Sequence, residues 1–332
     1  MREKEKELML KAIKKRGEQV VPIKDGKIPE EIIQSIFNKD KDGSIMSYKS
    51  LFGEVYQAAP LNLLDILPFD RSGKRNFIKR EFTRTIDGKE QKFVISITTT
   101  NTEETVNTYF INESERFKDK RLALPGLKLG LTLFFYLQHK AKTEGYVSKK
   151  NKAVYIPVSL KELRKLFNCK TSEIKKLLLQ LNFTSFSITT QYEENGKVVT
   201  ADIMKDIHLI SLLTISDLTN KEKQPYVFVA LNPLFLSIAK VNPNAWVKEK
   251  SLSSLSPLAL EMYLFLKRWT NRKEFRVNAV SLFKRLNIKI DTKHFALYIT
   301  RIQNALEELK QIEFIKDYKY DKKSQVFTLK LK

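Results

Sequence analysis

SPLALEMYLFLKRW (256–269), FRV (275–277), NAVSLFKRLNIKI (278–290), DTKHFALYITRIQNALEELK (291–310), FIKDYKY (314–320) and QVFTLKL (325–331) follow one another at the end of a chain of 332 residues. Ser256 is a good N-cap and Pro257 suits the first helical position, so a largely buried helix is expected there, with Leu260, Met262, Tyr263, Leu264, Phe265 and Leu266. FRV is a short strand, and Asn278 then caps a second helix whose Val280, Leu282, Phe283 and Leu286 share one face. After the turn NIKI, Asp291 and Thr292 cap the longest helix. Its Phe295, Tyr298, Ile299, Ile302, Ala305, Leu306 and Leu309 recur at steps of three and four and must face a core. The last two runs alternate and are joined by DKKS (321–324), a β-hairpin with lysines at its tip.

Helix, short strand, helix, turn, helix, hairpin is the order of a helix-turn-helix with a wing. In that arrangement the second turn helix enters a major groove and the hairpin lies along the phosphates. Thr292, Lys293, Thr300, Arg301 and Asn304 on the outward stripe of the long helix, with Lys319, Lys322 and Lys323 on the hairpin, are the candidate DNA contacts. The competing reading, ordinary core helices of a small α+β domain, does not account for the charge. Residues 221–332 hold 22 Lys and Arg against 10 Asp and Glu, and residues 121–220 hold 15 against 8, whereas residues 1–120 are nearly balanced at 23 against 20. Most of the formal charge of +22 therefore sits with the helix-turn-helix patterns, the footprint of a polyanionic partner.

The rest of the composition narrows the class. One cysteine, Cys169, excludes a disulfide framework and a Cys-rich zinc site, and points to a reducing cytoplasm. MREKEKELMLKAIKKR (1–16) has no apolar segment of the signal-peptide kind, and the most apolar run, LGLTLFFYL (129–137), is too short to span a bilayer, so no membrane partner is expected.

The region 1–120 reads as a smaller N-terminal α/β region. Its first residues form a charged helix or tail. Asn38, Asp40, Asp42, Gly43, Ser44 and Ile45 follow the spacing of an EF-hand calcium loop, but Lys49 stands where the loop needs a bidentate Glu, so DKDG is read as a polar turn. YKSLF (48–52) ends like a bacterial sliding-clamp-binding peptide but begins with Tyr48 in place of glutamine; Leu51 and Phe52 are read as core residues of an amphipathic helix. FIKREFTRTI (77–86), KFVISITTT (92–100) and ETVNTYFI (104–111) alternate as three antiparallel strands, and a domain boundary is expected near residue 120.

Residues 121–245 repeat the C-terminal order. A helix spans Leu127 to Lys142, VYIPV (154–158) is a strand, and Ser159 with Glu162 makes a capping box for LKELRKLF (160–167). NCKT then leads into SEIKKLLLQL (172–181), with Ile174, Leu177, Leu178 and Leu181 inward and Ser172, Lys175, Lys176 and Gln180 as candidate DNA contacts. Leu179 also falls on that outward face, which makes this helix the weaker base reader. FTSFSITTQY (183–192), the turn EENG, KVVTADIM (197–204), IHLISLLTI (207–215) and YVFVAL (226–231) supply the hairpin strands. The expected fold is α+β: two tandem winged-helix domains, 121–245 and 246–332, after the N-terminal region.

Catalytic chemistry is missing from the pattern. There is no G-x-x-x-x-G-K-[ST], and His139, His208 and His294 lie too far apart for a His-x-His metal pair. No nucleophile with a base and no paired carboxylates stand out. A binding protein without cofactor, metal or catalytic residue is expected. A DNA-processing enzyme with scattered catalytic residues is the weaker alternative.

LSPLALEMYLFL, the helix ending ITRIQNALEELK, and FIKDYKY together resemble the C-terminal half of theta-type plasmid replication initiators of the TrfA kind. A looser likeness extends over residues 121–332 and does not visibly include the first 120. The resemblance implies two winged-helix domains that bind repeated origin sequences (iterons), open an adjacent AT-rich stretch, and recruit the host replicative helicase and sliding clamp without nucleotide or metal. A plasmid- or phage-borne transcription regulator with the same DNA-binding unit is the rival, and monomer and homodimer are both open. A regulator usually gains its second reading head by dimerising, so two unlike heads in one chain favour the initiator. If the basic region tracks phosphates, log K for duplex DNA should fall with log salt by about 0.9 per phosphate neutralised, with roughly six to ten contacts. A titration across salt concentrations checks this, and a flat line would remove the DNA-binding reading.

Overall fold

The computed structural model describes residues 19–23, 69–86, 88–99, 122–150, 153–212, 226–232, 254–269, 272–286, 288 and 291–332, with 7, 10 and 11 near the start. The EF-hand-like stretch, YKSLF, and the strand expected at 104–111 lie outside them. The chain is mixed α+β, with antiparallel sheets in two compact units, Met1–Val241 and Asn242–Lys332.

In the N-terminal unit the described elements are β1 (Val20–Pro22), β2 (Phe77–Ile86), β3 (Lys89–Thr99), α1 (Leu127–Glu144), β4 (Tyr146–Ser148) and β5 (Val154–Ser159). After them come α2 (Leu160–Phe167), α3 (Thr171–Phe183), β6 (Thr184–Glu194), β7 (Lys197–His208), β8 (Ile210–Leu212) and β9 (Tyr226–Leu231). The C-terminal unit contains α4 (Pro257–Leu266), a 3-10 turn (Lys267–Trp269), β10 (Glu274–Asn278), α5 (Ala279–Arg285), a 3-10 turn (Thr292–His294), α6 (Phe295–Gln311), β11 (Ile315–Asp321) and β12 (Val326–Leu331).

The C-terminal unit forms where its caps and periodicity place it. The Ser256 side chain accepts from Ala259 N–H, Asn278 from Val280 N–H, and Asp291 from Lys293 N–H, so each helix start has an acceptor for an otherwise orphaned donor. Phe283, fully buried on α5, meets Phe295 at 5.4 Å and Tyr298 at 5.9 Å between ring centroids on α6. Behind α6 lies a three-stranded sheet of order β10-β12-β11, whose Phe275, Phe327, Leu329 and Leu331 are buried. Its other face carries Arg276, Thr328 and Lys319 in one cross-strand row.

In the N-terminal unit a five-stranded sheet runs β1-β4-β5-β9-β8, and its segment β5-β9-β8 repeats the connectivity of β10-β12-β11. Strand by strand, β5 corresponds to β10, β9 to β12 and β8 to β11, each set following the same succession of helices. The hairpin expected to complete this copy does something else. β6 and β7, joined by Asn195 and Gly196 at φ of 50° and 74°, pair with the β2–β3 hairpin in a separate four-stranded sheet of order β2-β3-β6-β7. Residues on either side of 120 therefore share a sheet, β3 with β6 from Lys92↔Gln191 to Thr99↔Thr184, and the boundary expected near 120 lies inside one compact unit. Alternation shows that these segments are strands but does not name their partners.

The loop before β2 is gathered around Asp70, which is buried at 1% exposure. Its Oδ2 accepts from the Ser72 hydroxyl at 2.7 Å and from the backbone N–H groups of Lys74 and Arg75 at 3.0 and 3.3 Å. Its backbone carbonyl accepts from Leu127 N–H at 2.7 Å, which seats the loop on the start of α1. Burial pushes the Asp70 carboxyl up, but the Ser72, Lys74 and Arg75 hydrogen bonds and the Arg75 guanidinium outweigh it and hold the group below the usual carboxylate range. The folded state thus favours the carboxylate. Its stabilisation is complete above the unfolded value near pH 4 and is lost as pH falls through the lower folded value. Asp70→Asn should cost about 1–3 kcal/mol at neutral pH, with the gap to the natural chain closing below about pH 4, as read by chemical denaturation across pH.

Candidate nucleic-acid interface

The rotation of α6 about its own axis is set by its buried residues, Ile299, Ile302, Ala305, Leu306 and Leu309. The opposite stripe is exposed and holds Ala296, Leu297, Thr300, Arg301 and Asn304, with Thr292 and Lys293 exposed in the preceding turn. Helical geometry thus brings Thr300, Arg301 and Asn304 onto one outward surface, and Thr292 and Lys293 are exposed in the turn that leads into it. Lys319 on β11 is exposed. Lys322 and Lys323 are exposed in the turn after it, where Asp321 orders the backbone by accepting from Lys323 N–H and the Ser324 hydroxyl.

What distinguishes this unit electrostatically is how its acids are used. Asp291 binds Lys293 N–H and His294; Glu308 accepts from Ser256 N–H at 2.7 Å; Asp317 pairs with Lys310 at 3.0 Å; Glu313 pairs with Lys332 and Glu274 with Arg276. Burial and then a hydrogen bond to Glu307 push the Tyr318 hydroxyl up to about 12, so it stays a donor to that carboxylate. The hydrogen bond from Lys310 holds the Asp317 carboxyl low, and Ser324 with Lys323 N–H does the same for Asp321. Arg301, Lys293, Lys322 and Lys323, by contrast, make no ion pair among the described residues. Carboxylates are bound within the unit while these cations are left facing water, so the α6 stripe and the hairpin tip each present positive charge that attracts anions.

The candidates of the N-terminal unit fare differently. Lys176 is exposed, and Ser172 and Lys175 are half-buried. Gln180 is a correction: expected on the outward face, it is 8% exposed and its amide Nε2 donates to the Ala123 carbonyl at 3.0 Å, so it holds α3 to the chain entering α1 instead of facing solvent. Leu179, expected on an outward face, is fully buried, because every residue of α3 from Leu177 to Phe183 is enclosed. Asn182, two residues on, is likewise tied, its Oδ1 accepting from Leu212 N–H at 2.8 Å. Besides Lys176, exposed basic side chains nearby include Lys161, Arg164, Lys165 and Lys170, on and just after α2. Their spacing around buried Leu163 was available in the sequence and was not used. Leu297 was also missed, although it sits four residues from both Lys293 and Arg301 and was absent from the core stripe. Among the described residues, no group of three or more His, Cys, Asp or Glu gathers to hold a metal, and no helix is long and apolar enough to cross a membrane.

No family model matches the chain, and no curated protein matches it. Among solved structures, it is similar to one of domain 2 and domain 3 of RctB, with 14% identity and a TM-score of 0.47 over 81% of this chain and 95% of that one. A second structure of RctB domains 2–3 gives 13% identity and a TM-score of 0.45, covering 81% and 96%.

Because Gln180 satisfies a carbonyl 57 residues away, Gln180→Ala should cost about 1–3 kcal/mol of stability. Thermal unfolding and a DNA titration of the folded variant together check the assignment, with DNA affinity expected to stay unchanged.

Proposed function

We propose that the chain is a replication initiator of the plasmid type that binds repeated origin sequences in duplex DNA. Residues 246–332 act as a winged helix in which α6 is the recognition helix and β11–β12 the wing. A second winged helix is proposed for α1, β5, α2, α3, β8 and β9, with β6–β7 inserted between its last helix and its hairpin. The observation that carries the reading is the unequal use of charge in the C-terminal unit: acids bound internally, and Lys293, Arg301, Lys322 and Lys323 left open on one helix stripe and one hairpin tip.

The chemistry of each contact follows from its side chain. The planar guanidinium of Arg301 matches the O6 and N7 of guanine, and the Asn304 amide matches the N6 and N7 of adenine. Thr292 and Lys293 stand just before the helix, where the Thr292 hydroxyl and the Lys293 ammonium suit a phosphate. Lys319, Lys322 and Lys323 fix register on the backbone without reading sequence. In this proposal the chain works by binding, with no catalytic residue, metal or cofactor. Origin opening and engagement of a host helicase and sliding clamp rest on the resemblance to plasmid initiators.

Two non-identical units in one chain favour the initiator over a regulator. A homodimer imposes its two-fold axis on DNA and selects inverted repeats, whereas an asymmetric reader lines up head to tail on direct repeats. Selection from random DNA followed by footprinting is expected to recover direct repeats, each occupied by one chain. A palindrome bound by two chains would replace the initiator with the regulator. On the recovered site Arg301→Ala should cost about 1–3 kcal/mol and far less on random DNA. Equal losses on both would make Arg301 a phosphate contact.

A further inference from the structure

The outward stripe of α6 is not uniformly polar. Leu297 stands on it at 45% exposure, a large hydrophobic side chain one turn after Lys293 and one turn before Arg301. A single exposed leucine is common on protein surfaces, so its position must carry the argument. Beside it are exposed Ala296 and, four residues on, exposed Thr300. The Thr300 hydroxyl donates to the Ala296 carbonyl at 3.1 Å, which spends its only hydrogen inside the helix and leaves the methyl group as its free outward apolar contact. Ala296, Leu297 and Thr300 thus form a small apolar patch on the same stripe as Lys293 and Arg301.

An apolar patch on a helix that enters a major groove meets one apolar feature of the base edges there, the C5-methyl of thymine. Guanine, cytosine and adenine carry no methyl group at their major-groove edges, whose donors and acceptors an alkyl group would desolvate without replacing. We infer that Ala296, Leu297 and Thr300 read thymine methyl groups, and that the half of the site facing α6 is specified by thymine next to the base pair held by Arg301. This rests on the DNA-binding reading of α6 and adds to it the base identity that the apolar residues select.

Deoxyuridine differs from thymidine by that methyl group alone, so it isolates the contact. On the DNA recovered by selection, each thymine is replaced in turn by deoxyuridine, and the dissociation constant is measured for the natural chain and for Leu297→Ala. The expected result is a loss of about fourfold at one or two thymines adjacent to the position that responds to Arg301→Ala, the scale of one methylene-sized group returned to water. Leu297→Ala should lose discrimination between the thymine and deoxyuridine forms at one or more of those positions. Leu297 is exposed, so the variant should unfold at the same temperature as the natural chain, which separates lost contact from lost fold. Sequence-selective binding that is indifferent to deoxyuridine at every position would overturn the inference and leave the DNA reading standing. So would full thymine discrimination retained by Leu297→Ala, whereas absence of any sequence-selective binding would overturn both.

Discussion

The contact of Phe283 with Phe295 and Tyr298 joins the buried stripe of Ile299, Ile302, Ala305, Leu306 and Leu309 in fixing the phase of α6, and the proposed function depends on that phase. A helix has one free rotational variable once its axis is placed, and a turn of 100° would exchange Arg301 for Ile302 on the outward side. The two ring contacts, at 5.4 and 5.9 Å, come from one buried side chain on α5 and bracket the first turn of α6. Glu308 fixes the other end by accepting from Ser256 N–H at the start of α4. The outward stripe is therefore held by packing at both ends rather than by anything on the stripe itself. Its polar residues are free to be chosen for what they meet in solvent.

This explains why the C-terminal unit was legible in the sequence. Each of its elements carries a local signal, with caps at Ser256, Asn278 and Asp291, a core stripe at helical spacing, and a hairpin closed by Asp321 and Ser324, although β10 pairs with the distant β12 from Glu274↔Lys330 to Asn278↔Val326. The N-terminal unit relies on pairing over long sequence separation. Thr99 lies opposite Thr184 in the four-stranded sheet, and β1 at residues 20–22 pairs with β4 at 146–148. Period-two alternation marks β2, β3, β6 and β7 as strands, but it is the same for a wing and for an inserted hairpin, and the three-residue β1 and β4 carry no such period. Gln180 was misread for a related reason. Its polarity on a helix suggested solvent, while its partner, the Ala123 carbonyl, has no sequence signature at all.

The matching orders β5-β9-β8 and β10-β12-β11 show that the two units share a connectivity under different decoration. In the C-terminal unit the path from the last helix to its hairpin is short, from Ile312 to Ile315, with Glu313 at a φ of 58°. In the N-terminal unit the same step is interrupted by β6 and β7, and the helix before it is enclosed along its second half. Burial of the second half of that helix leaves Lys176 as its exposed cation, beside Lys161, Arg164, Lys165 and Lys170 on α2 and the turn after it. Similar connectivity thus supports two surfaces of different character, one with an open helix stripe and one with cations grouped around a helix pair.

The pairing of β3 with β6 bears on how the chain can be divided. β6 is a long strand with buried Phe186 and Ile188, and its hydrogen-bonding edge is covered by β3 along eight register positions from Lys92 to Thr99. A fragment begun at residue 121 would uncover that edge, and an uncovered apolar strand is a template for pairing with another chain. The region that reads as a separable N-terminal appendage therefore shields a strand that would otherwise be sticky. Fragments of this protein that stay in solution as single chains are expected to retain the β2–β3 hairpin or to begin beyond residue 241, where the second compact unit starts.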